Sequence, residues 1–518
     1  MIRTIIKREF LDNLLSFKFI ACVLVAIILT TVSTVFLMSD YQARLKDYRT
    51  GVTLNEENLK KVPVYSYLAF KVFKEPNPLS IFVSGIERET GNYTNLSHRD
   101  IPASLKGGRI TNEFSHILSF FDLSSIITIL FSILAILLSY NAFSGEREDG
   151  TLSLVLANSI PRYKLLLGKY LGMLIALAVP IVFSFAIGLL IISVAGIQFS
   201  GTFTPSVLLL CTYSIVYLST VLLIGILASS RTKNSSTSLL VLLAFYLAAN
   251  VIVPTGAKSF AEDTIGFHAR NYEKNIQGLL DERTSELDQK IGELRPPRTW
   301  SFRETTSEGG ILLNRINPPL LIDFLKKLYP MQERTIENYA IRINSLREKD
   351  DQITYGTRKL ENMLLLLVPP SNFTRSAELI ADTGEDNLER FFSGLTRFWH
   401  EYVRYLDEKD AFGLRYFYPY QEEFNKEEKE LISNINKDHK GGAFRPYNGK
   451  YAREARSHNP GFHNLDFNDM PQFLSKEPSI EEKIVNMMPS FTILFFYNLL
   501  FLFLSHLSLN IYDPRRPR

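Results

Sequence analysis

Cysteine is nearly absent. The 518 residues hold only Cys22 and Cys211, both inside apolar runs, so a disulfide framework or a cysteine-based metal site is excluded. No G-x-x-x-x-G-K-[ST] loop occurs: Gly168-Lys169 is followed by Tyr170 and lacks the upstream glycine. The chain therefore has no loop to cradle a nucleotide's phosphates, and energy from nucleotide must come from another polypeptide. H-E-x-x-H and G-x-S-x-G are also missing. Trp399-His400-Glu401 makes no zinc helix, because no second histidine follows His400 by four residues. His439, His458 and His463 lie in a Gly/Asn/Pro-rich stretch that reads as loop rather than as a metal site. Asp382-Thr383-Gly384 matches the aspartic protease triplet, but one triplet in a charged helical context reads as a helix-ending turn. The net charge of +3 is not gathered on one soluble element, so no nucleic-acid partner is expected.

What the sequence has instead is segregation. It is 46% hydrophobic and 21% charged, with long apolar runs alternating with charged tracts. A run of about 20 apolar residues is the length a helix needs to cross the hydrocarbon core. The expectation is an α-helical polytopic membrane protein with six transmembrane helices, at 19–38, 117–142, 171–195, 205–228, 238–254 and 488–510. Residues 1–18 carry Ile2, Ile5, Ile6, Phe10 and Leu14 at helical spacing with Arg3, Lys7, Arg8 and Asp12 between them, which predicts an interfacial helix. Asp122 stands where the second run opens; a helix cap fits it better than an intramembrane carboxylate. Pro180 predicts a kink in the third span, and Pro254 an end to the fifth.

Two inserts interrupt the spans. Residues 39–116 are polar, with strand-like runs Val64 to Phe73 and Leu79 to Val83. Residues 255–486 read as mainly helical: Ala257 to Glu293 and Met331 to Val368 predict an antiparallel pair punctuated by Pro296, Pro297, Pro318, Pro319 and Pro330. Asn387 to Asp407 and Gln421 to Asn436 are further helix candidates. Positive charge on the short segments sets the orientation. With the N-terminus inside, Arg3, Lys7, Arg8 and Lys18, then Arg147, Arg162, Lys164 and Lys169, then Arg231 and Lys233, and finally Arg515, Arg516 and Arg518 of the tail 511–518 are all cytoplasmic. The short loop 196–204 carries no charge. Both inserts are then extracytoplasmic.

The chain is organised around residues 143–170, a polar elbow between the second and third spans. Glu146, Arg147, Glu148 and Asp149 stand in consecutive positions, followed by Gly150-Thr151. Each charge at mid-bilayer would cost roughly 2.5–3.5 kcal/mol, so the cluster must stay at the surface, where it can meet a partner. Thr151 to Asn158 mixes polar residues with Leu152, Leu154, Val155 and Leu156, enough for a short helix with an apolar side. A Pro161-Arg162 turn follows, then Lys164 and Lys169, a basic flank.

The Ser144-to-Glu148 run, Gly150-Thr151-Leu152, the Arg162 turn and Gly168-Lys169 resemble the elbow of ABC-2 type transporter permeases. The nearest branch includes the permeases of nitrous oxide reductase maturation and of gliding motility, among relatives with a large outer insert. Pro370-Ser371 through Thr383-Gly384 and Tyr512-Asp513-Pro514-Arg515 fit that subgroup. The resemblance covers the elbow and its flanking spans well and the large insert only loosely. It implies six spans per half-transporter in the bacterial cytoplasmic membrane. It also implies a second permease half, a copy of this chain or a related one, and a separate ATP-binding subunit that carries ATP and magnesium. No cofactor is expected on this chain. The coupling role falls on Glu146, Arg147, Glu148, Gly150 and Thr151, and the expected activity is export of a substrate or relay of ATP-driven motion, with a possible extracytoplasmic protein partner. The size of the inserts departs from the family's usual small-substrate form. The alternative is a membrane-anchored sensor or scaffold whose outer helical domain binds a ligand or protein.

Overall fold

A computed structural model describes residues 2–62, 65, 68–102, 104–107, 121–157, 161–196, 201–294, 318–412 and 465–511. The expected helix at 421–436, the histidines at 439, 458 and 463, the tail arginines and the first residues of the expected span 117–142 lie outside them. Among the described residues, six helices are long and apolar enough to cross a membrane. The protein is a multi-pass membrane protein whose inserts hold more helices and a small two-stranded sheet.

The N-terminal helix α1 (Ile2–Leu14) is followed by α2 (Phe17–Leu59), capped by the Ser16 hydroxyl, which accepts from the Phe19 N–H. The apolar run predicts an end near Met38, yet α2 continues to Leu59. A polar surface does not stop a helix, and Asp40–Arg44 adds an i,i+4 ion pair just beyond the run. In the first insert, β1 (Phe70–Phe73) pairs antiparallel with β2 (Tyr93–Leu96), setting Phe70 opposite Leu96 and Val72 opposite Thr94, with all four buried. Leu79 to Val83, expected as a strand, is instead a 3₁₀ turn over Pro78–Ile81. Pro78 fixes the first φ and the Asn77 side chain accepts from the Leu79 N–H, which favours the tight turn over an extended run.

The second span, α3, joins Leu123–Ile126, a π turn at Ile127–Phe131, and Ser132–Ser139. Asp122 is its cap, accepting from the Ser125 N–H at 2.8 Å, and it also takes the Ser84 N–H at 2.9 Å. Beyond a turn lie two short elbow helices, α4 (Ser144–Glu148) and α5 (Thr151–Ala157). The third span α6 (Arg162–Val194) starts immediately after Pro161, so the basic flank occupies its first turns rather than a loop; Pro180 lies inside it. The fourth span is α7 (Phe203–Arg231).

The fifth span does not end at Pro254. Ser235–Leu247, a π turn at Ala248–Ile252 and Val253–Glu293 form one helix, α8, that runs from the elbow side out into the second insert. Proline is tolerated in a helix's first turn, and the widened π turn just before Val253–Glu293 makes Pro254 such a position. The helix α9 (Pro318–Leu366) returns antiparallel to α8, with Lys290 Nζ on Thr335 Oγ1, Tyr339 on Glu286 and Arg342 on Glu282 in register. Pro330, expected between helices, sits inside α9.

The chain then turns back into the bundle. The short helix α10 (Pro369–Ala381) carries Phe373, Ala377, Ile380 and Ala381 at helical spacing, all buried in the same core as the spans. Phe373 stacks on Tyr217 and Tyr213 of α7, with centroids 4.8 and 5.9 Å away. Asn372 accepts from the Tyr213 hydroxyl at 2.6 Å and donates to the Leu366 carbonyl. The helix ends at Asp382, whose φ of 57° makes the helix-ending turn. The helix α11 (Glu385–Glu408) follows, and α12 (Ile480–Ile511) is the sixth span.

A second core lies apart from the bundle and draws on both inserts. Val62, Phe70, Val72 and Leu96 of the first pack with Leu328, Phe391, Trp399 and Tyr402 of the second. Polar contacts pin the same junction. Trp399 Nε1 donates to the Ser97 carbonyl, and Glu333, 1% exposed, holds His98 at 2.5 Å and Arg99 at 2.7 Å. Burial pushes the Glu333 carboxyl up, but the His98 and Arg99 contacts outweigh it and leave the group below its ordinary value.

Candidate functional site

The elbow is built from local chain logic first. Thr151 donates to the Glu146 carbonyl and Ser153 to that of Gly150, closing the turn between α4 and α5. Gly150 has φ +70° with nothing within 4 Å of where a Cβ would stand. Its constraint is therefore conformational rather than spatial. Of the apolar residues on α5, Leu152 is fully buried while Leu154 is 68% exposed.

Long-range contacts then tie the elbow to the neighbouring helix ends. Glu146 Oε1 lies 2.9 Å from Lys169 Nζ on α6, and Lys169 is 6% exposed. Glu9 of α1 approaches the same ammonium at 3.6 Å. Burial raises the Glu9 pKa, Lys169 opposes the shift, and Glu146 adds to it. Arg147 donates to the Thr232 and Ser230 carbonyls at 2.6 and 3.0 Å, capping the end of α7. Ser235, at the start of α8, donates to Glu148 Oε2 at 2.6 Å. Ser229 Oγ accepts the N–H groups of Phe143 and Ser144. Arg162 donates to the carbonyls of Leu509 and Asn510 at the end of α12.

The sequence-predicted residues therefore divide. Glu146, Arg147, Arg162 and Lys169 face inward and join helix ends. Glu148, Gly150 and Thr151 are exposed, as is Asp149. Lys164 is half-exposed and rests its ammonium 5.9 Å from the Tyr163 ring, away from the cluster.

Sequence reading missed Glu9, Ser229 and Ser235. The available signal was the Gly168-x-x-x-Gly172 spacing on α6. A Cβ on Gly168 would stand 2.6 Å from Ile5, and one on Gly172 2.7 Å from Glu9, so both glycines are what let α1 lie against α6.

The family described as ABC-2 family transporter protein matches residues 3–397, well over half of the chain. A probable ABC transporter permease protein NosY of Stutzerimonas stutzeri is 39% identical over 84 residues, 16% of this chain and 30% of that protein. The protein of the same name from Pseudomonas aeruginosa is 46% identical over 67 residues, 12% of this chain and 24% of that protein. This chain thus covers less than a third of either relative's length. By the extent of the family match, the chain belongs to the ABC-2 family of transporter proteins.

Proposed function

We propose that this permease converts ATP-driven motion of a separate ATP-binding subunit into export across the bacterial cytoplasmic membrane, with the elbow as the receiving lever. In this reading both termini and the elbow are cytoplasmic, the two inserts are extracytoplasmic, and a second permease half completes the pathway. Magnesium and ATP belong to the partner. One observation supports the proposal: a single short segment holds α6, α7 and α8 through Glu146, Arg147 and Glu148. A push on that segment is passed to three helices together. The exposed side that a partner can reach consists of Glu148, Asp149, Thr151 and Leu154, an acidic rim beside an apolar residue.

Glu146 faces inward and Asp149 outward, whereas exposed Glu148 also braces α8 through Ser235. The double charge reversal Glu148→Lys with Asp149→Lys is expected to lower copurification of the ATP-binding subunit by about tenfold, the scale of losing one or two charged contacts at an interface. The conservative Glu146→Gln should leave copurification in place and lower transport-coupled ATP hydrolysis. Undiminished capture and activity in the double reversal would overturn the assignment.

A further inference from the structure

The helix α1 docks through one face and leaves the other open. Ile5 and Glu9 face α6, where Gly168 and Gly172 make room for them. Arg3, Lys7 and Leu11 follow one another at four-residue intervals on the opposite, exposed side, with Arg8 beside the row. The row ends at Leu15, 74% exposed in the turn after the helix, and Phe17, 85% exposed, opens α2.

The charge on this face is one-sided. Arg3, Lys7 and Arg8 are exposed cations, against a single exposed acid on the helix, Asp12. Asp12 lies 3.5 Å from Arg8, with both side chains largely in solvent. Among the described residues, neither Arg3 nor Lys7 has an ion-pair partner. The apolar residues point to what meets these cations. From Leu11 and Leu15 the exposed apolar surface passes through Phe17 onto Ile20, Leu24 and Ile28 of the first span. That span face belongs to the hydrocarbon, so the open face of α1 leads into the bilayer at the level where basic side chains meet lipid phosphates. An acidic protein surface would account for the cations but not for that continuity.

We propose that α1 is the chain's binding surface for anionic phospholipid. Its cations meet the headgroup phosphates, and Leu11, Leu15 and Phe17 enter the boundary between headgroups and acyl chains. The docked face of the same helix carries Glu9, 3.6 Å from the buried Lys169 that Glu146 holds at 2.9 Å. Anionic lipid thereby holds α1 against α6 and completes the charge cluster beneath the elbow. The inference needs only the placement of α1 and is independent of the coupling role given to the elbow.

The test uses the full chain in nanodiscs of phosphatidylcholine alone or of an equal mixture with phosphatidylglycerol, read by amide hydrogen exchange over residues 2–14. Both faces of a nanodisc carry the same lipid, so the result does not depend on which side α1 occupies. Each cation at an anionic surface is worth roughly a fivefold gain in affinity, so three cations offset by Asp12 should slow exchange in the mixture by about tenfold. Salt at about 0.5 M should remove most of that difference. The triple variant Arg3→Gln, Lys7→Gln, Arg8→Gln should abolish it, and these exposed side chains can be changed without disturbing the docked face. Leu15→Ser with Phe17→Ser keeps every charge and should weaken the lipid effect without abolishing it. Exchange over α11, far from this face in sequence and fold, should be the same in both membranes. Equal exchange over α1 in the two membranes, or a difference that survives the triple variant, overturns the proposal. Slowing that follows addition of the ATP-binding subunit and not of phosphatidylglycerol also overturns it and assigns the face to an acidic protein surface.

Discussion

The two ends of the span bundle are closed by different physical means. At the elbow end the closing contacts are ion pairs and side-chain caps: Glu146 to Lys169, Arg147 to the end of α7, Arg162 to the end of α12. At the far end the closure is α10, whose Phe373 lies fully buried between two tyrosines while Asn372 spans to Tyr213. Polar contacts near a surface exchange for water at little net cost, whereas buried aromatic packing is lost outright when it opens. On that basis the elbow contacts are expected to open at lower cost than the far end. A machine driven from the elbow would need that asymmetry.

The sharpest way to break the comparison is at the expensive end. Phe373→Ala removes an aromatic ring from a fully packed site and should cost about 3 kcal/mol or more of stability, read as thermal unfolding of the full chain in detergent. A loss no larger than that of an elbow variant would show that α10 is not the tight closure.

A smaller effect at the same end is pH-dependent. Loss of hydration raises the Glu378 pKa to about 7 from its ordinary 4.5, with Asp122, Glu385 and Asp386 adding to the rise and Arg375 opposing it. Between those two values the folded chain binds a proton that the unfolded chain has released. Stability therefore falls as pH rises through that window, by on the order of 2 kcal/mol. Glu378→Gln should flatten this dependence. Glu333 in the core shared by the two inserts has the opposite sign: its folded pKa is depressed, so its contribution is present above pH 4.5 and is lost as pH falls further. A pH scan that separates α10 from the core of the two inserts should show the two trends opposed.

The far end was the less legible of the two in sequence. Six spans, the Asp122 cap, the elbow helix from Thr151, the antiparallel pair α8 and α9, and the turn at Asp382 all follow from local signals: apolar length, cap chemistry, charge blocks. The stripe of α10 is equally local, but a stripe says only that a face is buried, not against what. Its partner Tyr217 lies far away in sequence, and nothing local distinguishes a helix packed among spans from one in a soluble domain. Helix ends failed for a related reason. The end of an apolar run marks where the chain leaves the hydrocarbon, not where the helix stops, so α2 passes Met38 and α8 passes Pro254. At the elbow the charges were legible as a surface cluster. Their division into inward and outward members was not, because Lys169 meets Glu146 only once α6 folds back on the elbow, and Glu9 reaches that ammonium only once α1 has docked on Gly168 and Gly172.

The smallest effect tests the cheap end. Glu146→Gln leaves the Lys169 ammonium with Glu9 at 3.6 Å and the Phe143 ring at 5.5 Å. A fully buried pair broken this way costs several kcal/mol, but the Glu146 side chain keeps 29% of its surface in solvent, so about 1–2 kcal/mol is expected. Two further measurements tell this tie from ordinary packing. Raising salt from 0.05 to about 0.5 M shortens the Debye length severalfold and should narrow the gap between the variant and the parent chain. Adding Lys169→Met to Glu146→Gln removes the stranded charge, so the double variant should be no less stable than the single one. If the double variant loses stability additively and salt leaves the gap unchanged, the Glu146–Lys169 contact is packing rather than an electrostatic latch. The elbow would then be as costly to open as the far end, and the asymmetry between the two would be gone.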